Sequence, residues 1–275
     1  MDRLHSLKIL AGLAATFTLA ACSQDGLTDG TPLEEKSPLE LTASNLYEAV
    51  ATPKTRGTID GNWEGAKTVA VRVNGKIEEY AVTSEPDRSI HLTGKDITDA
   101  DTGFWWTKNG ESKTVDAWYP YSAEVPTKWE VSSTQTAKSL VEEDLMYAQS
   151  KSVTQDNSMI EFKHMLTKVV INLKCDLDYL ENASEVKVSL TGQYQTASII
   201  TSSFYLSGSG MYNNTIIPYE SSSRATYEAL VIPCQNQTIQ VSSLTWTGQN
   251  IVIKYLVKVM LRYLLAATST PSTSR

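Results

Sequence analysis

Val69, Val71 and Val73 alternate with Ala70 and Arg72, Asn74-Gly75 follows, and the alternation resumes over residues 77–82. A side-chain period of two belongs to a strand, and Asn-Gly readily supplies the two positive φ angles of a type I′ turn, so the stretch predicts a tight β-hairpin. A second Asn-Gly, Asn109-Gly110, separates Gly103-Phe104-Trp105-Trp106 from a strand over residues 114–119 that Pro120 ends, and predicts another hairpin. Further strands are predicted over 159–173, 185–190, 197–206, 226–232 and 238–246. Only 44–50 and 140–148 read as short helical or irregular segments. Many short strands punctuated by Gly, Asn and Pro make the chain all-β, built as antiparallel sandwiches.

The N-terminus constrains location. A short basic start, an apolar stretch over 9–20 too short to span a bilayer, and Leu19-Ala20-Ala21-Cys22 describe a secretory signal. The last four residues resemble a bacterial lipobox, which implies a signal peptide over 1–21 and Cys22 as the lipidated first residue. Residues 22–44 are polar and broken by Gly26, Gly30, Pro32 and Pro38, as in a flexible tether. Ser23-Gln24-Asp25 partly resembles the signal that sends Bacteroidetes lipoproteins to the outer cell surface. Roughly 250 residues remain, enough for two domains or one large β domain. With 24 basic against 31 acidic residues the net charge is -7, which disfavours nucleic acid as a partner. Of three cysteines, Cys22 takes the lipid. Cys175 and Cys234 lie in strand-like runs, either as separate buried thiols or as a disulfide. Neither belongs to a CxxC or Cys/His cluster, so no metal or cofactor is expected.

Several runs in order carry a family resemblance. They are Trp63 ahead of the first hairpin, Trp118-Tyr119-Pro120-Tyr121-Ser122, Asp144-Leu145-Met146-Tyr147-Ala148, the stretch from Phe162-Lys163-His164 to Leu173, and Tyr227-Glu228-Ala229-Leu230-Val231-Ile232-Pro233. Together they resemble the fimbrillin-like family of Bacteroidales envelope proteins over roughly residues 22 to 248. The resemblance implies two tandem transthyretin-like β-sandwich domains, 45–157 and 158–275, divided near Asp156-Asn157. It also implies a subunit or accessory component of surface fimbriae on the outer membrane, with other fimbrial subunits as partners and a host or bacterial surface as ligand. In fimbrial members a trypsin-like surface protease cuts at an arginine after the leading strand. Here Arg56, in Pro53-Lys54-Thr55-Arg56-Gly57, stands in that place, in a turn of the kind proteases reach.

At the other end Ile251, Ile253, Tyr255, Val257, Val259 and Leu261 share one parity, while Lys254, Lys258 and Arg262 take the other. A strand over 251–265 with one apolar face suits donation to a neighbouring subunit. The same charges also share one side of a helix, so a basic surface helix stays open. This stretch departs from the family's usual glycine- and tyrosine-rich ending.

Catalysis finds little support. His5 leaves with the signal, His91 and His164 stand alone in strand-like stretches, and no serine has a Gly-x-Ser-x-Gly setting. A non-enzymatic role follows. The alternative to a fimbrial subunit is a monomeric surface lipoprotein that binds glycan on Trp105, Trp106 and Trp129. Adjacent strand residues face opposite ways, so only one of Trp105 and Trp106 can be exposed.

Overall fold

The computed structural model describes residues 32–43, 63, 65–85, 89–97, 102–172, 188–201, 205–222, 226–233, 240–241, 244–246, 249–251 and 257–259. Cys22, Arg56, Cys175, Cys234, Ile253, Tyr255, Leu261 and the segment 44–50 lie outside them. The fold is all-β. Its first strands are β1 (Pro32–Pro38), β2 (Leu41–Ala43), β3 (Thr68–Val73), β4 (Lys76–Ser84), β5 (Ile90–Gly94), β6 (Trp105–Lys108), β7 (Ser112–Tyr119) and β8 (Lys128–Glu130). A six-residue helix α1 (Ala137–Glu142) precedes β9 (Met146–Thr154), β10 (Met159–Ile160), β11 (Lys163–His164) and β12 (Thr167–Asn172). Then come β13 (Leu190–Gln193), β14 (Thr196–Ile200), β15 (Tyr205–Ser209), β16 (Asn214–Ile216), β17 (Tyr219–Ser222) and β18 (Thr226–Val231). The last four are β19 (Gln240–Val241), β20 (Leu244–Trp246), β21 (Gln249–Ile251) and β22 (Val257–Val259).

The first hairpin forms as its sequence predicts. β3 and β4 pair from Thr68↔Ala81 to Val73↔Lys76, with Asn74 at φ 51° and Gly75 at φ 83°. They stand inside an eight-stranded sheet of order β10-β2-β5-β4-β3-β7-β9-β11. Because successive strand residues point to opposite faces, this one sheet feeds two cores. Val69, Val71, Val73, Val115, Ala117 and Met146 pack on one side with Trp63, Tyr80, Leu92, Phe104 and Phe162. On the other, Ala70, Trp118 and Tyr147 join Val169, Ile171, Leu190, Ala197 and Tyr227 from the later strands.

A charge on that second face needs a partner, and β7 supplies it. Arg72 lies directly across from Asp116 and donates from Nε and Nη2 to its Oδ2 at 3.1 and 2.7 Å. Tyr147 and Ser150 donate their hydroxyls to Oδ1 at 2.9 and 2.6 Å. Burial alone would raise the Asp116 pKa, but the hydrogen bonds from Ser150, Arg72 and Tyr147 and the Arg72 charge outweigh it and hold the carboxyl below its ordinary value.

The later strands form sheets of order β17-β18-β12-β22, β16-β13-β19 and β15-β14-β8. β8 precedes α1 in sequence, yet it pairs with β14. Its continuation stays with these strands: Val131 N donates to Gln195 O at 2.9 Å and Ile217 N to Ser133 O at 2.7 Å. The buried Gln135 amide then closes on Leu230, accepting from its N–H and donating to its carbonyl, both at 2.7 Å. Residues 127–135 therefore complete the second group of sheets.

Several expectations change. A division near Asp156-Asn157 falls inside the eight-stranded sheet, because β10 and β11 pair with β2 and β9 before the chain crosses to β12. The tether expected over 22–44 contains β1 and β2; Pro32 and Pro38 mark the ends of a strand rather than its absence. Asn109-Gly110 makes a turn but no hairpin: β6 pairs with β1, and β7 with β3 and β9. The Glu111 carboxylate accepts the Thr107 and Lys108 N–H groups at 2.7 and 3.3 Å, which closes that loop locally. Helix within 140–148 stops at Glu142, and Met146 opens β9. The runs 159–173 and 197–206 are each broken, the second into a β14–β15 hairpin that meets at Ile200↔Tyr205.

Candidate assembly site at the leading strands

Upstream of Arg56, β2 is fastened into the first core and β1 is paired beside it. Leu39, Leu41 and Ala43 alternate with Glu40 and Thr42, and the first two are 0% exposed. β2 runs antiparallel to β5, with Leu41↔Leu92 and Ala43↔Ile90, and parallel to β10, with Ala43↔Ile160. Among the described residues, β2 is the strand that joins β10 to the rest of the sheet. β1 is antiparallel to β6, pairing Ser37 with Trp106 and Pro38 with Trp105. Between β1 and β2, Leu39 N donates to Phe104 O at 2.7 Å and Leu39 O accepts from the Tyr80 hydroxyl at 2.9 Å. Burial, then the charges of Glu78 and Glu40, push the Tyr80 pKa well up, so it remains a phenol donor. The Tyr80 ring stacks on Phe104 at 6.4 Å.

Downstream of Arg56 the chain is pinned again. Trp63 is 2% exposed and meets the edge of Phe162 at 4.8 Å and 84°. A cut at Arg56 thus falls between two anchored points and leaves the leading segment held only by contacts. Burying two leucines contributes about 3–6 kcal/mol. That is enough to hold a short strand in place.

The C-terminal stretch is divided between sheets where it is described. Ile251 ends β21 and pairs with Leu244 on β20, whereas Val257 and Val259 of β22 pair with Ile171 and Val169 on β12. β12 would otherwise leave one edge unpaired, and β22 covers it.

The three indoles proposed for glycan do not form a platform. Trp106 faces inward at 2% exposure, with the Lys113 ammonium 5.6 Å from its ring centre. Trp105, half-buried, donates to Thr102 O at 2.6 Å. Trp129 lies against the other core and donates to Glu143 O at 2.9 Å. Alternation explains the split of the first pair; the placement of Trp129 follows from β8 joining β14, which no local pattern announces.

A buried histidine–carboxylate contact and a buried ionic pair also escaped the sequence. His164 Nδ1 and Asp144 Oδ2 are 2.7 Å apart where β11 meets the turn after α1. Lys168 on β12 and Glu228 on β18 are 2.8 Å apart, with side-chain exposures of 7% and 0%. Both join side chains distant in sequence, so neither leaves a local signal.

A family model described as fimbrillin-like matches residues 55–261. No curated protein matches the chain. Among solved structures, a candidate cell adhesion protein from Bacteroides uniformis ATCC 8492 is similar at 18% identity and TM-score 0.52, covering 71% of this chain and 75% of that one. Another, from Bacteroides ovatus ATCC 8483, is similar at 16% identity and TM-score 0.51, covering 80% and 86%. At such identities the likeness shows a shared β fold. Matched by the family model over well more than half its length, the chain belongs to the fimbrillin-like family, structural rather than enzymatic, with a fimbrial role at the cell surface.

Proposed function

We propose that the protein is a subunit or accessory component of surface fimbriae, whose leading segment is a removable plug. The supporting observation is that Leu39 and the β2 residues Leu41 and Ala43, all upstream of Arg56, supply buried side chains to the first core, while β1 pairs with β6 beside them. Cleavage at Arg56 frees the segment, and its departure uncovers the edges of β5 and β10 and the pockets of Leu39 and Leu41. A strand from a neighbouring subunit then takes its place, pairing main chain to main chain and filling alternate pockets. The donor is the stretch carrying Ile251, Ile253, Tyr255, Val257, Val259 and Leu261, which leaves β12 to serve a neighbour. On this reading the two groups of sheets correspond to two tandem transthyretin-like domains. Cys22 carries the lipid that holds the precursor on the outer membrane until assembly.

Arg-specific protease treatment of the purified precursor tests the plug. Fibres should appear in electron micrographs after treatment and not before, and the assembled chains should begin at Gly57. Fibres built only of chains retaining the leading segment would overturn the proposal. Anchoring has its own test. Cys22→Ser should shift the protein from the membrane to the soluble fraction, and unchanged partitioning would remove Cys22 as the lipid site.

A further inference from the structure

The end strand of a sheet presents a row of unpaired N–H and C=O groups, and without charge or proline it is a template for another strand. Most sheet ends of this chain carry a charged residue: Lys36 on β1, Lys108 on β6, Lys128 and Glu130 on β8, Lys163 on β11, Glu220 on β17 and Lys258 on β22. The uncharged ends β10, β16, β19, β20 and β21 are two or three residues long. β15 differs from both groups, with five residues and neither charge nor proline. It pairs with β14 from Thr196↔Ser209 to Ile200↔Tyr205, at the opposite end of its sheet from β8. Among the described residues no main-chain partner lies on its outer side.

The chain around this edge is also uncharged. From Val188 to Tyr219 the sequence has no Asp, Glu, Lys, Arg or His, in a protein whose net charge is -7. Lys128 and Glu130 stand on β8, across β14 and about 10 Å from β15. Four of the seven large apolar side chains exposed among the described residues flank β15. Ile200 and Tyr205 oppose each other at one end, and Met211 and Tyr212 follow the other, where the chain turns at Gly210 with φ 83°. Two copies of an acidic chain repel each other, and least where neither presents charge.

We propose that the outer edge of β15 pairs antiparallel with β15 of a second copy of this chain, about a two-fold axis at Ser207. Ser207 is exposed and is the middle residue of the strand. In this register Tyr205 lies across from Ser209 of the other copy, Leu206 lies across from its Gly208, and the two Ser207 residues face each other. The three strands of each copy then join into one continuous sheet of six. Tyr205 of each copy meets the end of β15 where the other turns into Met211 and Tyr212, so the apolar groups at both ends approach the seam. Main-chain groups supply the attraction, and nothing charged opposes it. A seam of five residues belongs to the weak class of contacts, so association depends on concentration. Repeated along a fibre, such contacts add and hold fibres side by side, a consequence that rests on the fimbrial reading. The pairing itself rests neither on that reading nor on strand exchange, so either can fail alone.

Light scattering of the purified, uncleaved full-length protein tests it. The mass should rise with concentration from one copy towards two, and hydrogen exchange within 205–209 should slow over the same range. Ser207→Lys and Ser207→Asp each set like charges face to face across the seam. Each should raise the midpoint concentration of association about fivefold, with the melting temperature of the dilute protein unchanged. An equimolar mixture of the two should associate at least as well as wild type, because Lys then faces Asp. Lys128→Ala, on the far edge of the sheet, should associate as wild type. A mass of one copy at every concentration, a dimer that both charged variants leave intact, or a mixture that stays monomeric would overturn the pairing. So would exchange within 205–209 that ignores concentration, a result that needs no variant. None of these outcomes depends on cleavage at Arg56 or on fibre formation.

Discussion

Leu41→Asp should lower the stability of the uncleaved protein by about 4 kcal/mol, because it sets an unpaired carboxylate in a fully buried position. For a chain of this size that is on the order of 10 °C in melting temperature. The loss is large because β2 is the link between β10 and the rest of the sheet, so its release exposes two strand edges at once. The consequence for assembly runs the other way. Leu41 leaves with the plug, so after Arg-specific cleavage the variant should form fibres at least as fast as wild type. Leu92→Asp, directly across from Leu41 on β5, damages the wall of the groove and should block fibre growth even after cleavage is complete. Fibre growth by Leu41→Asp that is slower than wild type, after cleavage is complete, would mean that β2 is a permanent part of the subunit and not a plug.

Lys168→Met should cost about 3–5 kcal/mol, since it leaves Glu228 charged at 0% exposure with its partner gone. The pair is set by register. Lys168 opposes Leu230 and Val170 opposes Glu228, so the two ionic side chains are diagonal neighbours on one face of the sheet. Adding Glu228→Leu should recover most of the loss, because an apolar pair needs no compensating charge in a site already closed to water. Chemical denaturation of the two variants measures the difference. A double variant no more stable than Lys168→Met would show that the cost lies in packing around the lysine stem, and not in the stranded carboxylate.

How far each site was legible depends on the range of the interaction that makes it. Trp63 and Trp118 fall in the core as their strand contexts imply, and the inward Trp106 follows from alternation with Trp105. Leu39, Leu41 and Ala43 carried the same period of two, but Pro32, Pro38 and the glycines before them read as a tether. A proline penalises strand only where an N–H is needed, and Pro38 closes β1 at its end. Gln135, built into the second group of sheets through Leu230, had no such cue at all.

The sequence by itself determined the all-β class, the Asn74-Gly75 hairpin and the membership of the family, since turn chemistry, side-chain period and ordered motifs are all local properties of the chain. Only the tertiary structure decided which strands pair. It placed β2 between β5 and β10, carried residues 127–135 into the second group of sheets, and divided Ile251 from Val257. Period two states which side of a strand is apolar, not which distant strand will bury it. That choice rests on the register and closure of the whole sheet, where each pairing depends on edges that the others leave open.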